Sequence, residues 1–270
     1  DGSETPFDFL TYQVVEDIII NGRWDEEFTV SFDSNGGSAV AAQTILDGQT
    51  AIEPTNPVKS GFEFKGWFTD DVTFLNEFNF SNVITEDVSL FAKWDGKLMI
   101  YEVYGGGGNS GATYTHDYIV LYNGTSNTIN LTGYSIQYTS ATGTSWTNRL
   151  NLNGSIESGN YYLIQLASGG SNGIALPTPN ITGTINMSAT NGKVALVNST
   201  TALTGSNPSN DPSVVDFVGF GTADGFEGSG PAVAPSNSRS IRRKALLDTN
   251  DNSADFEFIN SPDLSYLSSE

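Results

Sequence analysis

Short stretches in which apolar and polar positions alternate, broken by glycine and proline, run through most of this chain. In the first third, Thr29, Val30, Ser31 and Phe32 alternate as a half-buried strand, and Asn35-Gly36-Gly37 supplies the positive φ angles of a tight turn, so a hairpin begins there. Pro54 and Pro57 end the next element and Gly61 permits a sharp bend. Phe62, Phe64, Trp67 and Phe68 then offer aromatic bulk to one small core, and Val88 to Trp94 close it as a strand. From Lys97 to about Leu267 the pattern becomes short β-branched and aromatic runs separated by turn clusters. It predicts strands at Leu98 to Tyr104, Tyr118 to Asn123, Tyr134 to Tyr138, Arg149 to Leu152, Tyr161 to Gln165, Lys193 to Val197 and Val214 to Gly219. Their spacing suggests a sandwich, and the glycine-rich stretch Gly105 to Ala112 reads as a loop.

Residues 1–27 stand apart from both units, yet Phe7 to Ile20 holds Phe9, Leu10, Tyr12, Val14, Val15, Ile18, Ile19 and Ile20. So much apolar surface is expected to be covered. It either packs as a strand or short helix on its own neighbouring domain, or leaves as an arm that adds a strand to the next subunit.

Several blocks in order carry two family resemblances. The NGG turn, GFEFKGWF, FNFSNVITEDVSL and the terminal FAKW, over residues 28–95, resemble the Listeria-Bacteroides repeat, also known from the B-repeats of internalin-type surface proteins. That resemblance implies a compact β-grasp-like module without catalytic activity on a secreted or surface-attached protein. HDYIVLYNGTSNTINLTGYSIQY, SWTNRLNLNGSIESGNYYLIQ, INMSATNGKVALVNS, VVDFVGFG and DTNDNSADF, within residues 96–267, resemble the bacterial lamin-tail domain. That one implies an immunoglobulin-like β-sandwich that binds or attaches, often beside secreted hydrolases or nucleases. Many members of that family carry cysteines where this chain has the neighbourhoods of Ser206, Asn207, Asp224 and Leu247. The roughly 2–4 kcal/mol that a crosslink adds must then come from packing or a bound metal.

Composition narrows the chemistry. With 31 acidic and 11 basic residues the formal charge is −20, which repels nucleic acid and anionic membranes at long range. The absence of cysteine excludes disulfides, thiol nucleophiles and Cys-based zinc sites, and a single histidine excludes multi-His metal sites. No apolar run reaches the roughly 18 residues of a membrane span, and the Thr, Ser, Asn and Gly richness with little lysine fits an extracellular β-protein. Asp1 and its small-residue surroundings read as a start left by signal-peptide cleavage. Seven Asn-x-Ser/Thr sequons, at Asn79, Asn123, Asn130, Asn153, Asn180, Asn186 and Asn198, imply no glycan in a bacterial protein.

Asp248, Asn250, Asn252 and Asp255 in DTNDNSADF are the candidate ligands for calcium, since alternating oxygen side chains let one loop wrap a hard cation. The loop lacks the glycine and glutamate of an EF-hand, and an Asx-rich turn bonding its own backbone uses the same residues. Gly169-Gly170-Ser171-Asn172-Gly173 matches a nucleophile-elbow pattern, but Pro177 and Pro179 preclude the helix it needs, and only His116, beside Asp117, is available as a base. Acid pairs such as Asp70-Asp71 and Glu86-Asp87 read as solvated faces. Arg239, Arg242, Arg243 and Lys244 form one basic cluster, which either meets an acidic surface of another copy or balances Asp248, Asp251 and Asp255. Tyr134, Tyr138 and Trp146 either stack on a sugar ring or pack the sandwich.

The sequence therefore points to a mainly β protein, a small β-grasp-like module followed by a lamin-tail sandwich. The expected role is a non-enzymatic extracellular bacterial surface or structural protein, partnered by other copies of itself or by cell-surface proteins and polymers. A filament or lattice subunit with a donated N-terminal strand is one form of that role. The alternative is the tethering or adhesive portion of a secreted hydrolase or nuclease, or a glycan-binding adhesin.

Overall fold

A computed structural model of the chain describes Gln13, Val15 and residues 26–268, so the N-terminal arm lies almost wholly outside the described residues. The first sheet is built from β1 (Glu27–Asp33), β2 (Gln43–Leu46), β3 (Glu63–Phe68) and β4 (Val88–Asp95), in the order β2-β1-β4-β3. β1 and β4 lie side by side and parallel, with Val30 opposite Val88, while β2 and β3 are antiparallel additions at the edges. That is a β-grasp order. Its core is Val30, Ala51, Trp67, Ile84, Leu90 and Ala92, with the rings of Phe32, Phe64 and Trp94 packed against it.

The Asn35-Gly36-Gly37 turn forms as expected, with φ of 46° at Asn35 and 83° at Gly36. What fixes it is the last strand, because the Trp94 indole donates to the Ser34 carbonyl at 2.9 Å and a Cβ on Gly37 would fall 2.5 Å from the Trp94 ring. The partner strand β2 starts only at Gln43, so the turn introduces a longer loop rather than a two-residue hairpin.

The larger unit is a sandwich of two sheets. Its strands are β5 (Leu98–Tyr104), β6 (Tyr118–Asn123), β7 (Ile129–Asn130), β8 (Ser135–Thr139), β9 (Asn148–Asn151), β10 (Ser155–Ile156), β11 (Tyr161–Gln165), β12 (Ile181–Thr182), β13 (Gly192–Val197), β14 (Val214–Phe220), β15 (Arg239–Arg243) and β16 (Phe256–Asn260). One sheet runs β12-β11-β6-β5-β15-β16, the other β14-β13-β8-β9, and β10 pairs β7 separately. A single turn of helix, α1 (Asn252–Asp255), precedes β16, and Asp251 caps it by accepting from the amides of Ser253 and Ala254. The protein is thus mainly β, an immunoglobulin-like sandwich behind a β-grasp-like module.

Both faces of both sheets are covered, which explains strands that are buried at nearly every position instead of every second one. On β13, Val194 and Leu196 face the core between the sheets, whereas Ala195 and Val197 pack outward with Trp146, Leu203 and Phe217. On the other sheet, Ile119 and Leu121 point inward, and Tyr118 and Val120 pack outward beneath Leu264. Tyr138 and Trp146 are 5% and 0% exposed, so the sugar-stacking reading of this pair is replaced by core packing. Their polar atoms bond internally: the Tyr138 hydroxyl accepts from the Ser188 amide, and the Trp146 indole donates to the Gly205 carbonyl.

The glycine stretch is a loop, but a buried one. Gly107 donates to the Asp117 carboxylate at 2.9 Å, and a Cβ there would lie 2.0 Å from the His116 carbonyl carbon and 2.2 Å from the Asp117 nitrogen. Only glycine lets the two backbones touch. Gly107→Ala should therefore cost at least about 2–3 kcal/mol, read as a lowered urea midpoint at unchanged m-value, whereas Gly230→Ala, whose Cβ would meet only Ser253 at 3.6 Å, should lose far less.

Candidate functional site

The chemistry-bearing groups of the sandwich converge where β14, β15 and the loop 244–251 meet. Successive residues of a strand face opposite sides, so Arg242 and Arg243 on β15 serve two different places. Arg243 points between the sheets with its side chain fully buried. One guanidinium nitrogen reaches both Asp216 oxygens at 2.9 Å, the other reaches Asp255 at 2.7 Å and Asp248 at 3.2 Å, and Nε donates to the Ile100 carbonyl at 3.0 Å. The ring of Phe256 lies 4.6 Å beneath the guanidinium.

This arrangement closes a gap in the sheet. The β5–β6 register slips between Ile100 and Glu102, and the β15–β5 ladder pairs only Ile241 with Val103 and Arg242 with Glu102. The amide and carbonyl of Ile100 bond instead to the Asp216 carboxylate, at 2.6 Å, and to Arg243. Side chains complete what the ladder leaves open.

On the outer face, Glu102 is buried and fully bonded. It accepts from the Tyr118, Ser240 and Tyr266 hydroxyls, each at 2.6 Å, and from Arg242 Nε at 2.7 Å. Burial, with the charge of Glu102 second, raises the Tyr118 hydroxyl well above its ordinary value. Another buried ion is Lys193, whose ammonium bonds the carbonyls of Gly143 and Ser206 and the Asp224 carboxylate. A buried lysine thus ties together the loops that hold Ser206 and Asp224.

The four residues expected to hold calcium do not form a separate shell. Asp248 meets Arg243 and, at 3.1 Å, Lys97; Asn250, at φ 55°, accepts from Lys97 at 3.2 Å; Asp255 takes Arg243 and both the amide and hydroxyl of Thr249. The Asn252 amide acts as a substitute strand for the outer edge of β14, donating to Phe217 O at 2.9 Å and accepting from Gly219 N at 2.8 Å. The charge that Asp248, Asn250 and Asp255 face is therefore that of Arg243 and Lys97. Of the basic cluster, Arg243 does meet Asp248 and Asp255, whereas Asp251 caps α1 and Lys244 donates to the Ala254 carbonyl.

Sequence reading did not single out Asp216 or Glu227. Carboxylate oxygens of Asp216, Glu227 and Asp248 lie within 4.8 Å of one another. Burial, then the charges of Asp216 and Asp248, push the Glu227 carboxyl up to about 9 against the pull of Arg243. Burial works against the charge of Asp248 as well, but there Arg243 and Lys97 outweigh it and hold the carboxyl below its ordinary value.

The segment with the hydrolase pattern lies against the loop that precedes His116, Gly169 N donating to Gly107 O and Thr115 N to Ile174 O, but the acid and the histidine bond elsewhere. The Asp117 carboxylate accepts from the amides of Gly107 and Met187, and burial pushes it up to about 6. His116 instead shares a bond with the Thr115 hydroxyl through Nδ1. Of the acid pairs, Asp70 clamps its own loop through the amides of Val72, Thr73 and Phe74, and Asp87 accepts from the Thr29 amide.

Replacing Arg243 with Met leaves three buried carboxylates facing one another, and should cost about 3–5 kcal/mol in denaturant unfolding. For Glu227, the folded state holds a proton that the unfolded chain releases above its ordinary value of 4.5. Its contribution to stability is therefore lost as pH rises from there toward about 9. Glu227→Gln should flatten that slope, melting above the parent at pH 9 and showing little advantage near pH 4 in a pH series of thermal scans.

Comparison with known proteins fits these two units. Residues 28–93 match the model of the Listeria-Bacteroides repeat domain and residues 92–221 that of the Lamin Tail Domain. Two relatives from Evansella cellulosilytica are similar over part of the chain. One, provisionally named a Gly-rich membrane protein, is 40% identical over 100 residues, covering 36% of this chain and 11% of that protein. Another, provisionally named a membrane protein, is 41% identical over 90 residues, covering 33% of this chain and 13% of that protein. The matched stretch is thus about a tenth of the length of these relatives. A solved structure, a DUF4876 family protein from Bacteroides thetaiotaomicron, aligns over 90% of this chain and 97% of its own with 11% identity and a TM-score of 0.48. In chain order, then, two segments are similar to a Listeria-Bacteroides repeat domain and to a Lamin Tail Domain.

Proposed function

We propose that this chain is a non-enzymatic structural and interaction unit of an extracellular, surface-associated bacterial protein, acting through contacts with other copies of itself or with cell-surface proteins and polymers. Both matched domains are non-catalytic module types. The observation that carries the reading is the use made of charge. Among the described residues, each buried charged side chain, from Glu102 and Asp117 to Lys193, Asp216, Arg243, Asp248 and Asp255, is bonded to the fold itself. No helix of the described residues is long and apolar enough to cross a membrane.

In the assembling form of this proposal, residues 1–22 supply a strand to a neighbouring copy. Two features support it. β1 runs parallel to β4, and β4 leads directly into the sandwich, so the chain enters β1 at the pole of the repeat module away from the sandwich. Among the described residues, β9 and β16 each pair on one side only, leaving main-chain donors and acceptors for an added strand. A second reading, a tethering segment within a longer protein, is favoured by the small share of its relatives that the matched stretch covers.

Electron microscopy of the purified chain beside a deletion of residues 1–22, each with and without calcium, separates these readings. Ordered filaments or sheets from the full chain alone are expected from strand donation. Dispersed particles from both proteins would overturn it and leave the tether.

A further inference from the structure

The edges of the two sandwich sheets are of different kinds. The outer edge of β14 is occupied by the Asn252 amide, and β12 is only two residues long. β9 is polar but for Leu150, which packs on the core. β16 differs from all of them. The bonds from Lys244 N to Asp255 O and from Ser261 N to Ser238 O bracket its ladder with β15, so the main-chain groups of Glu257 and Ile259 face β15 and those of Phe258 and Asn260 face outward. Among the described residues these outward groups have no partner. Phe258 lies opposite Ile241, on the side of the sheet that forms the core, yet it is 47% exposed, with the Arg239 guanidinium 5.3 Å from its ring centroid. Arg239 is exposed and, among the described residues, without an acidic partner. An edge that joins free main-chain groups to an uncovered core-side ring has the makings of a site for one more strand.

The segment Val14-Val15-Glu16-Asp17-Ile18-Ile19-Ile20 fits that site. It is long enough to span the five residues of β16, and it is apolar at every position but Glu16 and Asp17. Residues 1–20 hold five acidic residues and no basic one, which suits Arg239. In its own chain Val15 is 81% exposed. The β16 of the same chain is out of reach. Val30 is opposite Val88, so Glu27 at the start of β1 lies ten residue rises, about 33 Å, behind Asp95 at the end of β4, and the sandwich begins only after that. The seven steps from Ile20 to Glu27 span at most about 25 Å. Pairing β16 with the β16 of another copy would instead bring two Arg239 guanidinium groups together over facing Phe258 rings.

We infer that the outer edge of β16 receives Val14 to Ile20 of a neighbouring copy, with the acidic pair beside Arg239 and aliphatic side chains over Phe258. This rests on strand donation and names the edge that accepts the strand.

Asn260→Pro removes one outward N–H and leaves the ladder to β15 intact. In sedimentation of the full chain, the parent is expected to assemble and Asn260→Pro to stay dispersed. The deletion of residues 1–22 keeps the edge but lacks the strand. Mixing it with Asn260→Pro should therefore give a one-to-one complex from two proteins that are each monomeric alone. Amide exchange of the parent supplies a reading free of substitutions: Phe258 and Asn260 should exchange slowly in the assembly and fast after dilution to monomer. Assembly of Asn260→Pro as of the parent, with the deletion dispersed, would overturn β16 as the acceptor and leave donation in place. A mixture that stays monomeric, or Phe258 and Asn260 amides that exchange alike in both states, would do the same. A parent that stays dispersed overturns donation and this inference together.

Discussion

The fork between Arg243 and Asp216 is the contact on which the sandwich depends. It joins β15 of one sheet to β14 of the other, and the same two side chains occupy the backbone groups of Ile100 that the bulged ladder leaves unpaired. A buried ion pair recovers its desolvation only when its remaining donors and acceptors are met. Here Asp248, Asp255 and the Ile100 carbonyl meet those of the arginine, while Thr249 and Lys97 hold the two acids in turn. The loop that resembles a cation site is thus organised about a guanidinium.

Much of the architecture was legible in the sequence. The parts that were not share a cause. Strands such as Leu98–Tyr104 and Tyr161–Gln165 stand out because burial on both faces makes them continuous apolar runs. β15 reads Arg-Ser-Ile-Arg-Arg and conceals itself, since arginine is ordinarily a surface residue and only its partners, far away at Glu102, Asp216 and Asp255, make burial tolerable. β16 escaped for a related reason: the preceding residues look like a ligand loop, and two of them, Asn252 and Asp255, form a helical turn committed to β14 and Arg243.

The candidate residues divide in the same way. Asp248 and Asp255 were visible as a spaced set of oxygens, but the cation they face comes from β15, and spacing along one loop carries no information about a side chain arriving from another sheet. Asp216 sits within an apolar strand as its only acid, a signal that in retrospect marks a buried partner. Glu227 has no such signal, lying in a glycine-rich loop whose fold decides its surroundings.

The parallel pairing of β1 with β4 has a mechanical consequence. Their registers run Val30 with Val88 through Asp33 with Phe91, and Asp95, at the end of β4, is bonded to Ser126 of the sandwich. A pull between the start of β1 and the end of β4 acts along both strands and loads their hydrogen bonds in shear. Those bonds must then yield together rather than one after another, which suits the module to carry tension along the chain into the sandwich.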